Sequence, residues 1–262
     1  MTATASGVLR KVPRLVFSPV LVGLATWIIL GLALEAAIHF GFVNAYVVPP
    51  PSAVIGAFGR IITEEHVLTR VALTAAETFA ASALMVIIGL PLAFLLFRVA
   101  LLRDACESWF AALSSAPLVL AYPLFLVLFG RSAFTVAAIG FAFGIAPVVL
   151  KTIEGLSAVR PTLINVGLSL GLTQSQMFRK ILLPAALPTI FVGVKLGLMF
   201  SLLNIVAVEF LVNFGGLGQL INDLAERYDL PGTYAAICSV ILVSVCFFIA
   251  LERAEAWLRS HS

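Results

Sequence analysis

Two ionisable residues stand inside otherwise apolar stretches, and they are the first candidates for chemistry. Lys195 interrupts one run about seven residues in, and Glu209 lies near the far end of the same run. An ion within a membrane segment is costly, so it marks a solute or proton path or a structural partner. Lys195 lies roughly 10 Å into its span at 1.5 Å per residue. Its ammonium is able to snorkel to the interface from there; a partner across the bundle and a place in an anion path are the alternatives. Glu209 precedes Gly215-Gly216-Leu217-Gly218. It is positioned either to bond that backbone or to touch a translocated solute. Glu35 and His39 share one helical face, at the outer end of a span or, alternatively, in a proton relay. Enzyme chemistry finds little support. The chain has no G-x-x-x-x-G-K-[ST] phosphate loop and no H-E-x-x-H. No Ser/His/Asp set is recognisable around His39, His66 and His261. Cys106, Cys238 and Cys246 form no C-x-x-C pair, so neither a disulfide framework nor a zinc site is expected. The sequence therefore predicts no catalytic residue, no metal and no cofactor bound by this chain.

These residues sit in a composition that decides the class. Hydrophobic residues make up 61% of the 262 and charged residues 11%. Soluble domains run about 45–50% apolar and about 25% charged. The sequence predicts an all-α, polytopic membrane protein. A net charge of +3 is too small to argue for nucleic acid.

The stretch Asn165 to Pro188, NVGLSLGLTQSQMFRKILLPAALP, is a polar, basic island between two apolar runs. A short helix ends at Leu170, and Gly171 suits the left-handed turn that closes it. Thr173 is the N-cap of a second helix, with Gln176 completing a capping box and Leu172 and Met177 spaced as a hydrophobic staple. Pro184 and Pro188 are expected to stop or kink that helix. With Arg179 and Lys180, this gives a capped helix-turn-helix suited to docking; an ordinary connecting loop is the alternative.

Along the chain, a basic head (Arg10, Lys11, Arg14) precedes an uncharged run from Leu15 to Leu34. That run is longer than a signal-peptide core and no A-x-A site closes it, so it is expected to remain as the first span. The predicted spans are 18–42, 77–98, 108–130, 132–151, 189–212 and 233–253, and the cytoplasmic loop 154–187. A stiff Pro49-Pro50-Pro51 and a short amphipathic helix over 52–63 follow the first span. Two pairs, Gly140-x-x-x-Gly144 and Gly193-x-x-x-Gly197, predict close helix packing. With the N-terminus inside, eleven Lys and Arg fall on the cytoplasmic side and four outside. That bias obeys the positive-inside rule and puts both termini and 165–188 in the cytoplasm.

The pattern G-L-x(5)-F-x(3)-L-L-P-x-A-L-P, carried by Gly171, Leu172, Phe178, Leu182, Leu183, Pro184, Ala186, Leu187 and Pro188, resembles the coupling loop of bacterial ABC-importer permeases. Where that family usually has Glu-x-Ala, this chain has Asn165-Val166-Gly167. Val48-Pro49-Pro50-Pro51-Ser52, Ala116-Pro117-Leu118, Tyr122-Pro123-Leu124, Gly193-Val194-Lys195, Ala207-Val208-Glu209 and the glycine loop are similar to the subfamily serving nitrate, sulfonate, taurine and thiamine-precursor uptake. The resemblance implies a type I, MetI-like permease of six transmembrane helices in the inner membrane. It implies a second permease copy as homodimer partner, two ABC ATP-binding subunits carrying the ATP, and a periplasmic solute-binding protein. Docking would fall to Gly167, Gly171, Leu172, Thr173, Gln176, Phe178, Arg179, Leu183 and Pro184. Alternating access would move the solute. The competing class is an energy-independent secondary transporter or a structural membrane subunit; no clear internal repeat favours it.

Overall fold

The computed structural model describes residues 19–115 and 118–260. Arg10, Lys11, Arg14, Ala116-Pro117 and His261 lie outside the described residues. Helices account for nearly all of the rest, and no strand occurs among the described residues. Among the described residues, five helical segments are long and apolar enough to cross a membrane: Leu21–His39, Val67–Arg98, Ala133–Ser157, Gln174–Val212 and Leu230–Trp257.

The described residues divide into two units, one ending at Ala53 and one beginning at Val54. In the first, α1 (Pro19–His39) carries the apolar run. Glu35 sits near its end and accepts from Ser52, from the backbone N–H at 3.1 Å and from the hydroxyl at 2.6 Å. The carboxylate thus satisfies a free amide in the first turn of α2 (Pro51–Thr63). This is a structural use of Glu35.

The second unit is built around α7 (Ala133–Ser157), which is buried along most of its length. It packs on α10 (Leu183–Val212) through both glycine pairs. A Cβ on Gly144 would come within 2.6 Å of the Gly197 carbonyl, and one on Gly197 within 2.7 Å of the Gly144 carbonyl. The two G-x-x-x-G motifs face each other, which lets the backbones meet as small-residue interfaces do. Met85 fills the space beside Gly144 and Gly197.

Several helix bounds differ from the sequence expectation, each for a physical reason. The helix expected over 77–98 starts ten residues earlier: α3 (Val67–Leu84), a π turn (Met85–Gly89) and α4 (Leu90–Arg98) run on without a break. Arg70 and Glu77 interrupt the apolar run but not the helix, because Arg70 is paired with Asp223 and Glu77 is buried. The span expected over 108–130 is not one helix. It divides into α5 (Ala100–Ser115), a 3-10 turn (Leu118–Ala121) and α6 (Tyr122–Phe129). Pro123 opens α6 at a position where its missing N–H costs nothing. The helix expected to begin at 189 extends back to Gln174, and the last, α12 (Leu230–Ser260), runs to Ser260 rather than 253.

At one end of this unit, α2 and α3 are tied to α11 (Gly216–Glu226) and the start of α12 by three ion pairs. Arg60 binds Asp229, Arg70 binds Asp223 at 3.1 Å, and Arg227 binds Glu65 at 2.6 Å. The hydrogen bond to Asp229 holds the Arg60 guanidinium above its ordinary value. Beneath the pairs, Ile61, Leu217, Leu220 and Leu224 are fully or almost fully buried.

Candidate functional site: the helix-turn-helix and the ions of the fifth apolar run

The stretch 165–188 folds from its own local chemistry. Pro161 opens α8 (Pro161–Ser169), with its φ already helical. Gly171 closes it with φ +66°. Its N–H donates to the Leu168 carbonyl at 3.0 Å, and the Leu172 N–H donates to that of Gly167 at 3.1 Å. This is the Schellman arrangement, satisfying two orphan carbonyls of α8. The chain then turns directly into α9 (Gln174–Met177). The Thr173 hydroxyl accepts from the Gln176 N–H at 3.3 Å, and the Gln176 side-chain oxygen accepts from the Thr173 N–H at 2.9 Å. The expected capping box is present.

Gly167 lets α8 lie against α9. A Cβ there would come within 2.6 Å of both Met177 Cε and Ile181 Cδ1. Leu172 and Met177 line a cleft of about 180 Å³ with Phe97, Arg98, Leu168 and Phe178. Phe178 meets Phe94 edge-on, centroids 5.0 Å apart, which anchors the base of α9 to α4. The outer surface of the knob mixes apolar and cationic groups. Val166, Leu168 and Leu170 are 55–71% exposed, and Arg179 and Lys180 are exposed as well.

The prolines do not end this helix. A π turn (Phe178–Leu182) follows α9, and α10 continues through Pro184 and Pro188 to Val212. Pro184 lacks an N–H, and in a regular α-helix its ring would meet the Lys180 carbonyl. The wider π turn carries that carbonyl away from the ring. The Leu183 N–H reaches back to the Phe178 carbonyl. Leu183 and Pro184 are half-buried. Gln174–Val212 is therefore one continuous rod with its exposed, capped end at the helix-turn-helix.

The two ions of that rod have structural partners. Lys195 does not simply snorkel: its Nζ lies 2.7 Å from Glu255 on α12, with both side chains largely buried, and 5.5 Å from the Phe248 ring centroid. Glu209 is 1% exposed. It accepts from the Thr74 hydroxyl at 2.7 Å and from the Gly218 N–H at 2.8 Å. Gly216, with φ +73°, leaves no room for a Cβ beside that carboxylate. Sequence reasoning foresaw the bond from Glu209 to the glycine loop and missed Thr74, Glu77 and Glu255. The tail holding Glu255 appears merely charged, and its helical spacing past the apolar run was the available signal.

The sequence and the fold match a known class. Residues 85–260 match the family described as the binding-protein-dependent transport system inner membrane component, and the chain belongs to that family. It is 32% identical over 193 residues to the nitrate import permease protein NrtB of Synechocystis, covering 74% of this chain and 66% of the relative. It is 23% identical to the formylaminopyrimidine transport permease protein ThiX of Halalkalibacterium halodurans, covering 74% of this chain and 78% of the relative. In fold it is similar to an inward-facing chain of the MetNI methionine ABC transporter, with a TM-score of 0.64 at 22% identity over 72% of this chain and 95% of the other. The chain is an inner-membrane permease subunit of an ABC importer, a transport subunit whose ATP is hydrolysed by a separate subunit.

Proposed function

We propose that the helix-turn-helix over 161–182 is the element through which this permease engages an ATP-binding subunit. The observation that carries this reading is the continuity of Gln174–Val212. A push on the capped end is transmitted along α10 into its tight packing with α7 at Gly144 and Gly197. The exposed Val166, Leu168 and Leu170 offer apolar area to a groove, and Arg179 and Lys180 set its charge. Gly167 and Gly171 shape the knob, Thr173 and Gln176 cap it, and Leu172 and Phe178 seat it against the bundle. Leu183 and Pro184 pass the movement on.

Two copies of the permease would enclose the path, with two ATP-binding subunits on the cytoplasmic side and a solute-binding protein on the periplasmic side. Six spans, counting the broken segment of α5 and α6 as one, with both termini in the cytoplasm and the loop 154–187 beside them, complete the arrangement. ATP binding would close the ATPase pair, shift the coupling helices and alternate access. The substrate class is a small solute of the nitrate, sulfonate, taurine or thiamine-precursor type; nitrate and a formylaminopyrimidine are named for two of the relatives. Lys195 and Glu209 serve the scaffold rather than the path, since each is held by partners within the bundle.

Gly171→Val tests the docking role. Nothing lies within 4 Å of a Cβ there, so the change strains only the left-handed backbone, by about 1–3 kcal/mol, and re-aims α9. Membrane levels should stay near normal while recovery of the ATP-binding subunit in a pull-down falls and uptake is lost. Equal recovery with undiminished uptake would mean that this stretch is only a connection.

A further inference from the structure

Where α3, α10 and the start of α11 meet, two carboxyls are buried together. Glu209 is 1% exposed and Glu77 3%. The available donors converge on Glu209. Thr74 donates its hydroxyl hydrogen at 2.7 and 3.0 Å to the two oxygens, and Gly218 donates its N–H at 2.8 Å. Thr74 in turn accepts the Leu217 N–H at 2.9 Å. Glu77, almost one helical turn beyond Thr74, abuts Glu209. As a carboxylate it has no donor: both of its oxygens are buried without a hydrogen-bond partner.

Two ionised carboxyls in contact away from water repel strongly, and a buried oxygen with no donor is costly. Cations that could offset them are engaged elsewhere. Arg70 is bound to Asp223 of α11, Arg131 donates to the Asn213 carbonyl at the end of α10, Lys151 of α7 is bound to Glu154, and Lys195 of α10 to Glu255 of α12. Among the elements packed on α3, Glu209 is the charged group that acts on Glu77. A metal ion fits poorly. Hard cations want about six oxygens, and the Glu209 oxygens already face positive N–H and O–H ends.

We propose that this corner is a proton site, in which Glu77 is a neutral carboxylic acid donating its O–H to an ionised Glu209. One proton then satisfies both carboxyls. The assignment follows from the donors: the carboxyl that receives them is the ionised one, and the carboxyl that receives none holds the proton. The remaining negative charge rests at the N-terminus of α11, where the helix dipole favours it. The proton ties α3 to the last turn of α10, through Glu77 and Glu209, which are 132 residues apart in sequence.

The full chain, purified in lipid nanodiscs at neutral pH, allows two measurements. Infrared spectroscopy should show the C=O stretch of a protonated carboxyl that disappears in Glu77→Gln. Absence of the band from the unaltered protein, or its survival in Glu77→Gln, would overturn the assignment. Thermal unfolding should separate the two carboxyls. Glu77→Gln keeps a neutral donor and should hold Tm within about 2 °C, whereas Glu209→Gln turns an amide against the incoming donors and should lower Tm by about 5 °C or more. The reverse order would place the proton on Glu209 and contradict the proposal, and a Tm that depends on sodium would assign the site to a metal ion instead.

Discussion

Lys195 illustrates what one buried charge requires. Its side chain is 18% exposed and that of Glu255 13%, so neither charge is well hydrated. Removing one partner leaves the other charge in a low-dielectric place, which typically costs about 3–5 kcal/mol. Lys195→Met should therefore destabilise the purified protein strongly, and Lys195→Met with Glu255→Gln should recover much of the loss. Thermal unfolding of the two singles and the double closes the cycle. If each change proved neutral alone, the pair would not be holding α12 against α10.

At the scale of elements, the caps decide where α9 points. Thr173→Ala removes the hydroxyl that receives the Gln176 N–H, and should cost about 0.5–2 kcal/mol locally. Hydrogen exchange at the amides of α9 should then speed up, with the core of α7 unchanged; uniform protection in both proteins would show that the box does not hold α9. This box was legible in the sequence because capping is local: Thr173, Gln176 and Gly171 carry their own geometry. What lay far apart was not legible. Val67 as the start of α3 was hidden by Arg70 and Glu77, whose charges break an apolar run until Asp223 and Glu209 are brought beside them. The continuity through Pro184 was hidden too, because a proline predicts a stop unless a π turn removes the opposing carbonyl. The division of 108–130 into two helices is not legible from its prolines alone, because a single kinked span accommodates prolines as well.

For the whole molecule, the positive-inside bias makes a topological prediction. In a background without Cys106, Cys238 and Cys246, a cysteine at the exposed Glu64 should react with an impermeant reagent from the periplasm, and one at the exposed Ser175 should not. Gly216 is unsuitable as the outer reporter, since any Cβ there would meet the Glu209 carboxylate. Labelling of Ser175→Cys from outside would invert the orientation. The central claim is that α9 sits on an ATP-binding subunit, and crosslinking from α9 tests it most directly. A photoreactive residue at Ser175, in membranes containing the co-expressed ATP-binding subunit, should give one adduct of permease plus that subunit, and Gly171→Val in the same chain should weaken it several-fold. An adduct equally strong from Ser175 with and without Gly171→Val, or none to the ATP-binding subunit in an importer active in uptake, would contradict the account.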